Sequence, residues 1–98
     1  MLSKIESQFQ SKLIKRIKDE FPGCVIEKQD AKYIQGIPDL VIFYKNKYAM
    51  LECKENATAP HRPNQDYYIS LFKNWSYAAF VYPENEEQIV KELQEVFK

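Results

Sequence analysis

The chain has 98 residues, 14 Lys or Arg against 14 Asp or Glu, and seven Tyr, six Phe and one Trp. That length holds one modest core. No apolar run is long enough to span a membrane and no signal-peptide pattern is present, and a net charge of zero lends no support to simple electrostatic binding of nucleic acid. Cys24 and Cys53 lie within apolar runs without C-x-x-C spacing. They read as reduced core thiols of an intracellular (cytoplasmic) protein, against a disulfide or a zinc site. The charge is unevenly spread: residues 1–54 carry ten Lys or Arg against seven Asp or Glu, and residues 55–98 carry four against seven. Lys12, Lys15, Arg16 and Lys18 cluster in the first predicted helix, as a solvated face or a face for phosphates.

Residues 3–20 are predicted to form an amphipathic helix. Ile5, Phe9, Leu13, Ile17 and Phe21 recur at helical spacing, and Pro22-Gly23 ends it. Residues 24–28 read as a short strand. Residues 29–36 are a polar connection with Gly36 as a turn residue. Two strands follow, at 39–44 and 48–54, and then a loop over 57–63 containing Pro60 and Pro63. A second helix is predicted over 64–73, capped by Asn64, with Tyr68, Leu71 and Phe72 buried. Residues 77–82 form a fourth strand. Pro83-Glu84 opens a last helix to Phe97, with Glu84, Glu86 and Glu87 suited to its first turn and Ile89, Leu93, Val96 and Phe97 as its apolar set. The order is α-β-β-β-α-β-α, a small α/β sandwich without repeats or internal linker.

The chemistry concentrates in Gly36-Ile37-Pro38-Asp39 and Glu52-Cys53-Lys54. Glu52 and Lys54 are two apart on a strand and share a face. Hairpin register decides whether Asp39 joins them. A two-residue loop of Lys45-Asn46 sets Asp39 opposite Glu52. A loop of Asn46-Lys47 sets it opposite Lys54. Both put the three groups on one face, whereas a three-residue loop would put Asp39 on the other. Asn46 is the loop residue most tolerant of a left-handed conformation. Both strands are apolar on both faces, as central covered strands are. Charged residues at the end of such a strand need partners. Two carboxylates and an ammonium on one face can hold a hard divalent cation and activate a water beside a phosphate.

These residues, in this order of elements, resemble the PD-(D/E)XK nuclease superfamily. The finer match is to its VRR-NUC branch, which is similar to small phage nucleases and archaeal Holliday junction resolvases. That branch reads G-x-P-D-L, then E-x-K, then a Gln opening the next helix. Here these are Gly36-Ile37-Pro38-Asp39-Leu40, Glu52-Cys53-Lys54 and Gln65. The resemblance spans nearly the whole chain. It implies one VRR-NUC-like domain over residues 1–98, with a restriction-endonuclease-like α-β-β-β-α-β core and a C-terminal helix.

The activity it implies is a Mg²⁺- or Mn²⁺-dependent endonuclease acting on DNA, selective for branched or junction structures. It implies a homodimer, since cutting two strands needs two sites, and a phage or prokaryotic setting. Asp39, Glu52 and the backbone carbonyl of Cys53 would be metal ligands. Glu6 falls where a first-helix Glu supports the metal or its water. Lys54 would orient the attacking water and stabilise transition-state charge, and Gln65 would position Lys54 or the phosphate. The chain departs from the pattern in two places. Glu55-Asn56 follows the Lys where a small residue is common, and Asn74-Trp75-Ser76 precedes the last strand where a Gly is common.

The supporting residues have simpler readings too. Ser3 and Glu6 fit a capping box. Gln65, His61 and Arg62 fit solvated positions, with phosphate contact as the sharper reading for His61 and Arg62. Lys32 and Tyr33 precede the Gly36 turn and are candidate DNA contacts by location. Two rival functions stay open: a catalytically inactive nucleic-acid-binding domain, and a protein-interaction module in which Lys54 and the acids form a buried ion-pair network.

Overall fold

A computed structural model describes residues 3–98. Its elements are α1 (Lys4–Glu20), β1 (Val25–Lys28), β2 (Leu40–Tyr44), β3 (Lys47–Cys53), α2 (Gln65–Trp75), β4 (Tyr77–Val81), a 3₁₀ turn (Pro83–Asn85) and α3 (Glu86–Val96). The strands lie in the order β1-β2-β3-β4. The first two pairings are antiparallel and the last is parallel. The chain is an α/β fold around a mixed sheet. Among the described residues no helix is long and apolar enough to cross a membrane.

Helices cover both faces of the sheet. Phe9, Leu13 and Ile17 of α1 and Ile89 and Leu93 of α3 pack with Leu40, Ile42 and Leu51 on one face. Ile69 and Phe72 of α2 pack with Ile37 and Ala78 on the other. This is the double cover that the apolar strands predict, but it is incomplete. The contacts of α2 are with β3 and β4, so Phe43 and Val25 on its side of the sheet remain 42% and 58% exposed. Ile5 is exposed as well. The first turn of α1 brings Glu6 rather than Ile5 inward.

Local chemistry sets the boundaries. Ser3 caps α1, its hydroxyl accepting from the Glu6 amide at 3.1 Å, and Phe21 closes the helix through its amide to Ile17 O at 2.9 Å. Register pairs Tyr44 with Lys47 and Leu40 with Leu51, so Lys45-Asn46 is the hairpin loop. The left-handed residue there is Lys45 (φ 59°), not Asn46. Positive φ at the first central position alone is the type II′ pattern, which suits the strand twist without calling on Asn46. Asn64 takes the cap position of α2 with φ 71° and makes no side-chain cap bond. Its side-chain amide leans instead towards Gln35 O, at 3.5 Å.

Gly36 explains that arrangement. Its φ is 88°, and a Cβ there would lie 2.6 Å from Asn64 Cβ and 2.8 Å from Pro63 O. The connection before β2 therefore lies directly against the start of α2, and only glycine fits. Gly36→Ala should destabilise the fold by about 1–3 kcal/mol or more, read as a lower urea midpoint at unchanged m-value. A midpoint equal to wild type would mean that this contact is not maintained.

Candidate active site

Asp39 precedes β2 and Lys54 follows β3, so both sit at one end of the two central strands. Extending the register from Leu40↔Leu51 by one residue puts Asp39 opposite Glu52, the first of the two registers that place all three groups on one face. The carboxylate of Asp39 accepts from the Cys53 amide at 2.9 Å. One residue further, Pro38 would face Cys53. Amide and carbonyl of one strand residue point to the same side, so the Cys53 carbonyl also faces β2. Pro38 has no amide hydrogen to give it. The ladder ends here because of Pro38, and a main-chain oxygen is left beside Asp39.

Gln65, in the first turn of α2, links the other two groups. Its Oε1 accepts from Lys54 Nζ at 2.7 Å and from the Arg62 amide at 2.9 Å. Its Nε2 donates to Glu52 Oε2 at 3.0 Å. The ammonium can only donate, which fixes the orientation of the amide. Lys54 Nζ also donates to Pro60 O at 3.1 Å. Among the described residues no carboxylate lies within ion-pair distance of Lys54. The ammonium is buried, 5% exposed, and is held by an amide and a carbonyl. Lys54 and Glu52 are linked through Gln65 rather than by a direct ion pair.

Electrostatics makes Glu52 the strained member. It is 3% exposed. Burial pushes its carboxyl up to about 9, the Asp39 carboxylate adds to this, and Lys54 opposes it. Asp39 is raised too, by burial, with the Cys53 amide pulling the other way. Glu52 Oε1 is buried without a hydrogen-bond partner among the described residues. Two facing carboxyls with an orphan oxygen need a shared proton or a cation. The donor set is all oxygen: two carboxylates and the Cys53 carbonyl. It fits a hard divalent cation such as Mg²⁺ or Mn²⁺. Among the described residues no three His, Cys, Asp or Glu side chains form a ready-made cage, so such a cation would keep several waters, as Mg²⁺ commonly does. The Cys53 thiol is itself no ligand candidate. It belongs to the core packed with α1, and burial first, then Asp39 and Glu52, raise its pKa and keep it protonated.

A cavity of about 440 Å³ opens onto these groups. Glu6 lines it and does not close a capping box around Ser3. Burial raises its pKa, Lys54 lowers it, and Asp39 and Glu55 raise it further. Lys32 and Arg62 line the same cavity. His61 does not. Its Nδ1 pairs with Asp66 at 2.7 Å, and its ring stacks on Phe80 with 3.9 Å between centroids. Those two contacts account for it structurally. Tyr33 stands in solvent at 87% exposure.

Two cavity residues are absent from the sequence-based expectations. Gln10, 4% exposed, shares the cavity with Glu6 one helical turn earlier. That i, i+4 spacing on a helix heading inward was the available signal. Gln29 lines it as well. Its main-chain amide donates to Asp39 O at 2.8 Å, and no residue pattern announces it. Comparison of the chain with family models, with curated proteins and with solved structures found no match.

Proposed function

We propose that the protein is a metal-dependent DNA endonuclease of the PD-(D/E)XK type, with a restriction-endonuclease-like core and the VRR-NUC arrangement of its site. One observation carries the reading. A buried Glu52 with an orphan oxygen faces Asp39, and a buried ammonium is held two residues on, at the open end of the central strands. A structural role alone gives no reason to bury these groups without pairing them.

Mg²⁺ or Mn²⁺, held by Asp39, Glu52 and the Cys53 carbonyl and supported by Glu6, would neutralise the phosphodiester and lower the pKa of a bound water. The chain supplies the rest. Gln65 and the Pro60 carbonyl fix the direction of Lys54 Nζ. The ammonium then donates to the attacking water or to a non-bridging phosphate oxygen as negative charge builds. Arg62 and Lys32, on the cavity walls, meet the flanking phosphates. A homodimer sets two such sites on one branched DNA.

The test is incubation of the protein with labelled linear duplex, single strand, flap and four-way junction, in Mg²⁺, in Mn²⁺ and in EDTA, beside Asp39→Ala. Metal-dependent cutting that the variant loses is the expected result, with the branched DNAs preferred. DNA binding without cutting in either metal would replace this reading with that of an inactive binding domain.

A further inference from the structure

Tyr33 is the most exposed large hydrophobic side chain among the described residues, at 87%. No hydrogen bond or ring contact engages its side chain among the described residues. Its backbone, by contrast, is tightly held. The Asp30 carboxylate accepts from the Lys32 amide at 2.8 Å, and Asp30 O accepts from the Tyr33 amide at 3.0 Å and the Ile34 amide at 3.3 Å. One residue earlier, the Gln29 amide bonds Asp39 O at 2.8 Å. At the other end of the loop, Gly36 presses on Asn64. The ring is thus presented to solvent from a turn tied at both ends to the elements of the site. Its neighbour Lys32 lines the cavity.

An aromatic ring left bare on a fixed mount, beside a cation, suits a flat apolar partner attached to an anion. We infer that Tyr33 is a stacking platform for an unpaired base whose phosphate lies at Lys32, on the cavity wall. The inference rests on the nuclease reading and deepens it. In a continuous duplex each base is stacked between its neighbours and offers no free face, so the platform selects DNA with an unpaired stretch at the cavity. The binding physics divides cleanly. Stacking is sequence-tolerant and insensitive to salt, whereas the Lys32 contact releases counterions.

Affinity for a labelled mixed-sequence single strand and for a blunt duplex is measured in EDTA, where no turnover occurs, over a range of salt. Tyr33→Ala should weaken single-strand binding about 5- to 140-fold, the range for one stacked base. Duplex binding and the salt slope should not change, and Tyr33→Phe should restore wild-type affinity. Lys32→Ala should instead flatten the single-strand slope by about 0.7. Trp75→Ala is the control. It removes another exposed aromatic, 64% accessible and edge-on to Phe72, at the far end of α2, about 15 Å along the helix from Gln65. Tyr33→Ala binding single strand like wild type, or losing duplex and single strand equally, would overturn the platform. So would failure of wild type to prefer the single strand. Cleavage in Mg²⁺ is read separately: its absence would sink the nuclease reading while the binding comparison still decides the platform.

Discussion

Glu52→Gln should abolish metal-dependent DNA cleavage and, in the same protein, raise the stability of the metal-free fold at alkaline pH. The two effects have one cause. Glu52 is held protonated by burial and by Asp39, with its pKa raised to about 9 from an ordinary 4.5. A group whose folded pKa lies above its unfolded value contributes stability that is complete below the unfolded value and is lost as pH rises through the folded one. Metal-free wild type should therefore lose stability steadily between about pH 4.5 and pH 9 on account of this residue. Glutamine cannot ionise, so the variant's melting temperature should vary less with pH and exceed that of wild type at pH 8 to 9. The crossing of the two melting curves is the diagnostic. A variant that tracks wild type across the range would mean that Glu52 is not protonated in the metal-free fold.

The same linkage predicts how a cation enters. Binding must displace the proton that Glu52 holds. Apparent affinity for Mn²⁺ should then tighten by up to about tenfold per pH unit below pH 9, with proton release visible in calorimetry as a dependence on buffer ionisation enthalpy. Added cation should restore the stability that wild type loses at high pH and do nothing for Glu52→Gln.

Much of this site could be read from the chain because its key spacings are local. Glu52 and Lys54 share a face by strand period alone, and both reach Gln65 as a result. Asp39 joins them through a two-residue loop, the length common to both registers that put the three groups on one face. The apolar faces of β2 and β3 marked them as central, as the strand order has it. What the sequence hid depends on contacts across long separations. Gly36 reads as a turn residue, yet its second constraint is the approach of Asn64, 28 positions later. That approach also removes Asn64 from its expected capping role. Gln10 and Gln29 are polar residues in polar stretches. Only the closure of α1 and the β1–β2 connection around Asp39 turns them to the cavity. His61 reads as a loop residue, and its stacking on Phe80 of β4 follows from tertiary packing that no local pattern encodes.

Lys54→Ala carries the second large effect, and the geometry around it decides what should survive. The ammonium is positioned by Gln65 Oε1 and Pro60 O and by no carboxylate among the described residues, so its removal leaves no buried acid unpaired. Gln65 keeps its bonds to the Arg62 amide and to Glu52. The fold and the acidic pair should persist, and Mn²⁺ should still bind. Turnover should fall about 10²- to 10³-fold, the loss typical of removing one preorganised donor from a site of developing negative charge. Lys54 also opposes the rise in the Glu52 pKa, so the pH at which Mn²⁺ half-saturates should move upward in the variant. Gln65→Ala should lose less turnover alone, since a mobile ammonium still reaches the phosphate part of the time. The double variant should lose less than the product of the two single losses, because part of the Gln65 effect runs through the ammonium. Fully additive losses in the double variant would mean that Gln65 acts independently of the ammonium, through its bond to Glu52 or through substrate. Wild-type turnover in Lys54→Ala would remove the ammonium from the chemistry altogether.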